Sequence, residues 1–182
     1  IERKEVCDKA FEGVLELKSE LEKQQMAVPV IVAGGSPTFP IHAKRDGIEA
    51  SPGTTLLWDE RYDSLFDDLD FLQSAVLFCR VISKPGKDLL CLDLGHKAIA
   101  PEMDFPRVIL FGLEDCEQIG QSEEHLVVRC PDTSEHAIGD YFYAIPMHIC
   151  PTVAKYPKLM VVENSKITGT WEVAARNHKI TI

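Results

Sequence analysis

The sequence has no apolar run long enough to span a membrane and no signal-peptide pattern at its start, so a cytoplasmic chain is expected. It has little positive charge. Nineteen Lys and Arg stand against 29 Asp and Glu, and the net charge of −10 excludes nucleic acid or anionic membrane as the main partner. It has no Cys-x-x-Cys: Cys7, Cys79, Cys91, Cys116, Cys130 and Cys150 are scattered, which points to reduced thiols rather than a disulfide framework. A serine nucleophile elbow, a phosphate-binding P-loop and a dinucleotide fingerprint are all missing, and there is no internal repeat or low-complexity tract. What the chain does have is 182 residues with 45% hydrophobic content, enough for a real core in one domain or in parts of two.

Residues 2–25 read as an amphipathic helix, with Val6, Ala10, Val14, Leu17 and Leu21 at spacings of three and four. The run Val28 to Ala33 has the length and continuous apolar character of a parallel strand buried on both faces. It ends in Gly34-Gly35-Ser36-Pro37-Thr38, where Ser36 suits an N-cap and Pro37 a first helical residue. A second short strand over 47–50 ends in Ser51-Pro52-Gly53-Thr54, and Asp59, Glu60, Asp63, Asp67, Asp68 and Asp70 read as a solvated helix face. From about Ala75 the texture turns to β. Strands are expected over 75–82, 89–93, 107–112, 125–130, 140–145, 159–163 and 168–174, in a closed barrel or a sandwich. The two domains expected are 1–72 and 73–182, with a junction near 71–75.

Three groups of residues have the makings of chemistry. Two glycine turns after two successive strands bring flexible backbone and unpaired N–H groups toward an anion, so Gly35, Ser36, Gly53 and Thr54 are candidates for a phosphate site. His148-Ile149-Cys150, bracketed by Pro146 and Pro151, is read as strand. Residues two apart would then share a face and could hold one metal ion with open positions left over. Taken alone, the pair is more simply a buried cysteine beside an ordinary histidine. Asp93-Leu94-Gly95-His96-Lys97 reads first as a β-turn, and Glu124-His125 as a surface ion pair. His42, His136 and His178 suggest only solvent exposure, and Trp58 and Trp171 suggest packing.

In their order, these motifs resemble the carboxyl-terminal half of the D-threonine aldolase and D-serine dehydratase family, enzymes of the alanine-racemase fold type. The resemblance rests on Gly34 to Thr38, on Pro52-Gly53-Thr54 with Asp59, on Asp93 to Lys97, and above all on Pro146-Met147-His148-Ile149-Cys150-Pro151-Thr152-Val153; Thr170 to Arg176 also looks like the family's terminus. It implies an α/β plus β architecture: the last strands and helices of a (β/α)8 barrel, followed by an antiparallel β-domain. It implies pyridoxal 5'-phosphate held by its phosphate at Gly35, Ser36, Thr38, Gly53 and Thr54. It further implies a divalent metal at His148 and Cys150, zinc by the softness of a thiolate, with manganese as the alternative. The expected function is a lyase acting on β-hydroxy-D-amino acids, aldolase-like, with D-serine dehydration as the alternative and a non-catalytic β-rich module from another class. A homodimer is implied in the full-length protein. Two departures stand out. Thr55 replaces the aromatic residue usual after Pro-Gly-Thr, and the lysine that anchors the cofactor on the first barrel strand has no counterpart. Since Ile1-Glu2-Arg3-Lys4 reads as mid-helix without an initiator methionine, a fragment inactive by itself is expected.

Overall fold

The computed structural model describes residues 2–177 and Lys179, so His178 lies outside the described residues. The chain forms two compact units, 1–56 and 57–182, and the expected junction near 71–75 falls inside the second.

In the first unit, helix α1 (Glu2–Lys23) carries the i,i+4 pairs Lys4–Asp8 and Lys18–Glu22 on its polar side. Its buried residues are Cys7 and Phe11, whereas Val6, Val14 and Leu17 of the expected stripe are exposed; Val6, Ala10 and Val14 line an open groove of about 570 Å³ along the next strand. Strands β1 (Ile31–Gly34) and β2 (Ile48–Ser51) pair in parallel, Ile31 opposite Ile48 and Gly34 opposite Ser51. A parallel pair needs a crossover, and the connection here contains the short helix α2 (Phe39–His42). His42 is not solvent-exposed as its polar neighbours suggested. It is buried, 3.4 Å from Cys7 Sγ and with its ring against Phe11, and burial pushes its pKa down.

The second unit opens with helix α3 (Glu60–Leu65), shorter than the acidic run that announced it. Strands β3 (Leu77–Gly86), β4 (Leu89–Leu92), β5 (Val108–Leu110), β6 (Glu117–Gln121), β7 (Leu126–Arg129) and β8 (Tyr141–Pro146) form one antiparallel sheet in the order β5-β8-β3-β4-β7-β6. Alternation decides the faces. Cys79 and Val81 of β3 point inward and pack with Leu90, Leu92, Val108, Leu126, Val128 and Ala144, while Phe78 and Arg80 face out. The sheet curls until its two edges meet through a side chain. Gln118 of β6 accepts a hydrogen bond from Arg107 N–H (2.9 Å) and donates one to Val108 C=O (2.5 Å) at β5. β6 is the strand that sequence reading missed, because Glu117-Gln118-Ile119-Gly120-Gln121 lacks the apolar alternation of its neighbours. Beyond the sheet lie helix α4 (Ile149–Val153) and the hairpin β9 (Lys158–Glu163) and β10 (Lys166–Glu172). Trp58 is fully buried as expected, but Trp171, on that hairpin, is 65% exposed and is not a packing residue within the chain.

The thiols also depart from expectation. Cys116 and Cys130, flanking the β6–β7 ladder, form a disulfide, so the cysteines are not all reduced. Cys79 and Cys91 are buried and Cys150 is exposed. Burial pushes the Cys79 thiol up to about 12, out of reach of an alkylating agent that needs the thiolate. Iodoacetamide on the native chain is therefore expected to modify Cys150 and spare Cys79 and Cys91, even above the ordinary thiol pKa of about 8.5. Peptide mass spectrometry reads this directly, and native-state labelling of Cys79 would contradict the burial.

Candidate functional site

In the first unit, the two glycine turns leave the carboxyl ends of the paired strands β1 and β2, each entering a 3-10 turn, Ser36–Thr38 and Thr54–Leu56. Ser36 is not the N-cap. Gly35 takes that place at φ 96°, a conformation that glycine adopts without strain. The buried Ser36 hydroxyl instead accepts a hydrogen bond from Thr54 N–H at 3.1 Å and so ties the second turn to the first. Thr38 Oγ1 lies 3.1 Å from both Gly34 C=O and Gly35 C=O, so its proton serves the turn itself. Gly35 and Gly53 are exposed, and a Cβ at Gly53 would meet nothing within 4 Å. A Cβ at Gly35 would instead lie 2.8 Å from Thr38 Oγ1, so the open space is at Gly53; exposed backbone there, on a turn tied to the first by Ser36, fits a phosphate group.

In the second unit, His148 and Cys150 are not on a strand. β8 ends at Pro146, and His148, still extended at φ −140° and ψ 104°, is the N-cap of α4, whose first turn contains Cys150. The same-face argument from an extended backbone therefore does not apply. A strand-to-helix corner carries the two residues instead. Three groups hold this corner. Glu102 Oε1 is 2.6 Å from His148 Nδ1. A carboxylate can only accept, so Nδ1 carries the hydrogen and Nε2 of the neutral ring keeps its lone pair for a ligand. Thr152, buried, donates from Oγ1 to His148 C=O (2.7 Å) and accepts from Ala100 N–H (3.2 Å). Asp59, only 1% exposed, accepts from Ile149 N–H at 3.0 Å. An imidazole and an exposed thiol form a donor set that suits zinc. Among the described residues no group of three or more His, Cys, Asp or Glu side chains comes together to hold a metal, so the pair would bring two ligands and leave the rest of the shell open.

Sequence reading found His148 and Cys150, missed Glu102, and named Asp59 and Thr152 in its motifs without giving them a part in holding the pair. Asp59 had been assigned to a solvated acidic face; it is instead the buried N-cap of α3, accepting from Tyr62 N–H at 3.0 Å as well. Of the other carboxylates in that run, Asp63, Asp67, Asp68 and Asp70 are exposed as expected, whereas Glu60 is half-buried. Asp93 to Lys97 is a turn. Asp93 pairs with Arg80 (3.0 Å), and Lys97 bridges Glu123 (3.2 Å) and Glu124 (2.9 Å), which raises the lysine's pKa and lowers that of Glu124. Glu124 thus finds its cation in Lys97 rather than His125. His136 is half-buried, its ring against Phe142.

Residues 74–162 match a family model described as "Putative serine dehydratase domain". A D-threonine aldolase from Arthrobacter sp is 29% identical over 180 residues, covering 96% of this chain and 47% of the relative. The chain is thus similar to serine dehydratase and D-threonine aldolase proteins. Solved structures agree on the fold. The D-threonine aldolase of Filomicrobium marinum superposes with a TM-score of 0.82 at 20% identity, over 96% of this chain and 49% of that one. D-threo-3-hydroxyaspartate dehydratase, as a variant with a histidine replaced by alanine, gives 0.77 at 17% identity, over 97% and 50%. A second variant of that dehydratase, with a cysteine replaced by alanine and described as metal-free, gives 0.69 at 18% identity, over 90% and 48%. The chain spans about half the length of the relatives it matches. Among the described residues no helix is long and apolar enough to cross a membrane.

Proposed function

We propose that the full-length protein is a pyridoxal-phosphate- and zinc-dependent lyase that cleaves β-hydroxy-D-amino acids in the manner of a D-threonine aldolase. The observation that carries this reading is the His148 corner. A carboxylate fixes the imidazole tautomer with Nε2 available, beside an exposed cysteine, in a chain 29% identical to a D-threonine aldolase over 96% of its length. The cofactor, when bound, supplies an electron sink for the charge that develops at Cα of the substrate. Zinc, when bound by His148 and Cys150, supplies a Lewis acid for the substrate's β-oxygen.

The chain's own residues do the holding. Gly35 and Gly53 present backbone to the phosphate, and Ser36 locks the two turns to each other. Glu102 keeps the proton on His148 Nδ1 and prevents the ring from turning away. The barrel around β1 and β2, the homodimer, and a cofactor lysine in the half of the relatives' length that this chain does not span belong to the same proposal.

A dehydratase is the second reading, and the ligand pair favours it. The histidine and cysteine altered in the two D-threo-3-hydroxyaspartate dehydratase variants stand two residues apart, as His148 and Cys150 do. The two reactions part at the bond broken. Cleaving Cα–Cβ with loss of the hydroxyl proton gives glycine and an aldehyde. Removing the Cα proton and the β-hydroxyl as water gives pyruvate and ammonia from D-serine after hydrolysis. Incubating the full-length protein, pyridoxal phosphate and zinc with D-threonine and D-serine separates them. Acetaldehyde from D-threonine is the expected product, and a chelator should abolish it until zinc is restored. Pyruvate from D-serine without acetaldehyde would move the assignment to the dehydratase, and neither product would overturn both.

A further inference from the structure

The carboxylate of Asp59 makes one hydrogen bond that the local sequence explains and one that it does not. It is 1% exposed, and each oxygen takes one backbone amide: Oδ1 accepts from Tyr62 N–H at 3.0 Å, Oδ2 from Ile149 N–H at 3.0 Å. The first bond is an ordinary N-cap of α3. The second reaches 90 residues along the chain to the first of the two peptide groups that link His148 to Cys150, the one that carries Ile149 N–H. Burying a carboxylate costs several kcal/mol unless it is well hydrogen-bonded, so a shorter neutral cap such as serine would serve α3 at less cost.

The residue before it adds an independent observation. Trp58 lies in the left-handed region at φ 53° and is fully buried. That conformation is unfavourable for a bulky side chain and persists only where the surroundings impose it. Here they do so through Tyr62, Phe71 and the hydrogen bond from the indole N–H to Asp63 Oδ1 (3.0 Å). The strained tryptophan turns the chain so that Asp59 points inward, toward α4.

We propose that Asp59 is a positioning residue of the metal site, holding a peptide group between the two ligands so that the His148 imidazole and the Cys150 sulfur keep a fixed mutual geometry. Glu102 sets the orientation of one ligand ring; Asp59 sets the backbone from which both ligands project. This inference rests on the metal reading proposed above, and the test separates the two.

Zinc affinity is measured on the full chain by competition with a chromophoric chelator, and cobalt(II) replaces zinc for spectroscopy. Asp59→Ser keeps an N-cap acceptor for Tyr62 N–H but is too short for Ile149 N–H. Its zinc affinity should fall about tenfold or more, as for other outer groups that orient metal ligands, and its thiolate-to-cobalt absorption should weaken or shift. Asp59→Asn keeps one oxygen acceptor and should fall between the two. Circular dichroism confirms that each variant is folded. If Asp59→Ser does not fold, Ile149→Pro removes the same hydrogen bond from the donor side. Proline is tolerated at the first helical position, and His148 already has the extended backbone that a following proline requires. Wild-type affinity and an unchanged cobalt spectrum in the folded variants would overturn the role of Asp59 while leaving the metal site standing. No zinc uptake by the wild type, or equal uptake by His148→Ala, would overturn the metal reading and this inference together.

Discussion

Replacing Gly95 by alanine is expected to destabilise the second unit by about 3 kcal/mol or more, at the upper end of what overpacking costs. Gly95 is buried in the turn after β4, where a Cβ would lie 2.3 Å from Glu124 N and 2.4 Å from Glu123 C and Glu124 C. These are backbone atoms and cannot rotate out of the way. The contact is not incidental, because His96 N–H and Lys97 N–H donate to Ser122 C=O and Glu123 C=O, both at 2.8 Å, and dock this turn under the loop between β6 and β7. An added methyl group must break those two bonds or push the hairpin outward. Gly120, on β6, provides the control: a Cβ there meets nothing within 4 Å, so Gly120→Ala should shift stability by no more than about 1 kcal/mol. Urea unfolding of both variants decides the matter, and equal midpoints would show that the turn yields.

His148→Ala is expected to abolish zinc binding, measured as loss of one bound zinc per chain by metal analysis of the full-length protein. The ligand count makes the effect large. With two ligands from this corner, Glu102 turned to Nδ1 of the ring, and no group of three or more His, Cys, Asp or Glu among the described residues that could hold a metal, losing one ligand leaves a single thiolate. Glu102→Gln tests the support rather than the ligand. The amide's oxygen can still accept from Nδ1 but carries no charge, so zinc affinity should fall about 10–100-fold without disappearing. Zinc should also protect the exposed Cys150 from iodoacetamide in the wild type and fail to do so in His148→Ala. Protection that survives the substitution would show that the sulfur binds metal without the histidine.

The elements legible in the sequence are those with a local cause. The alternation of Leu77, Cys79 and Val81, the apolar Ile31 to Ala33 and the glycine turns each declare a strand or a strand end within a few residues. His148 and Cys150 were legible as a pair, but their backbone was not. Pro151 follows at a position equally suited to a stiffened strand end and to the first turn of a helix. Asp59 and Glu102 were hidden for a different reason. An aspartate in an acidic run looks the same whether it faces water or accepts an amide 90 residues away, and only tertiary packing distinguishes them. The same holds for the Cys116–Cys130 disulfide. Its two halves are 14 residues apart and become cross-strand neighbours only once β6, polar enough to pass for a loop, has paired with β7.

The amide of Gln118 has a consequence for the solution behaviour of the sheet. Exposed strand edges are templates for uncontrolled strand addition, and proteins usually defend them with charges, prolines or bulges. Here the outermost strands at either end of a six-stranded sheet face each other, and one side chain occupies an N–H and a C=O that an intruding strand would need. The sheet therefore guards its β5 edge by closing on itself, and polymerisation through β5 would have to displace the sheet's own glutamine first.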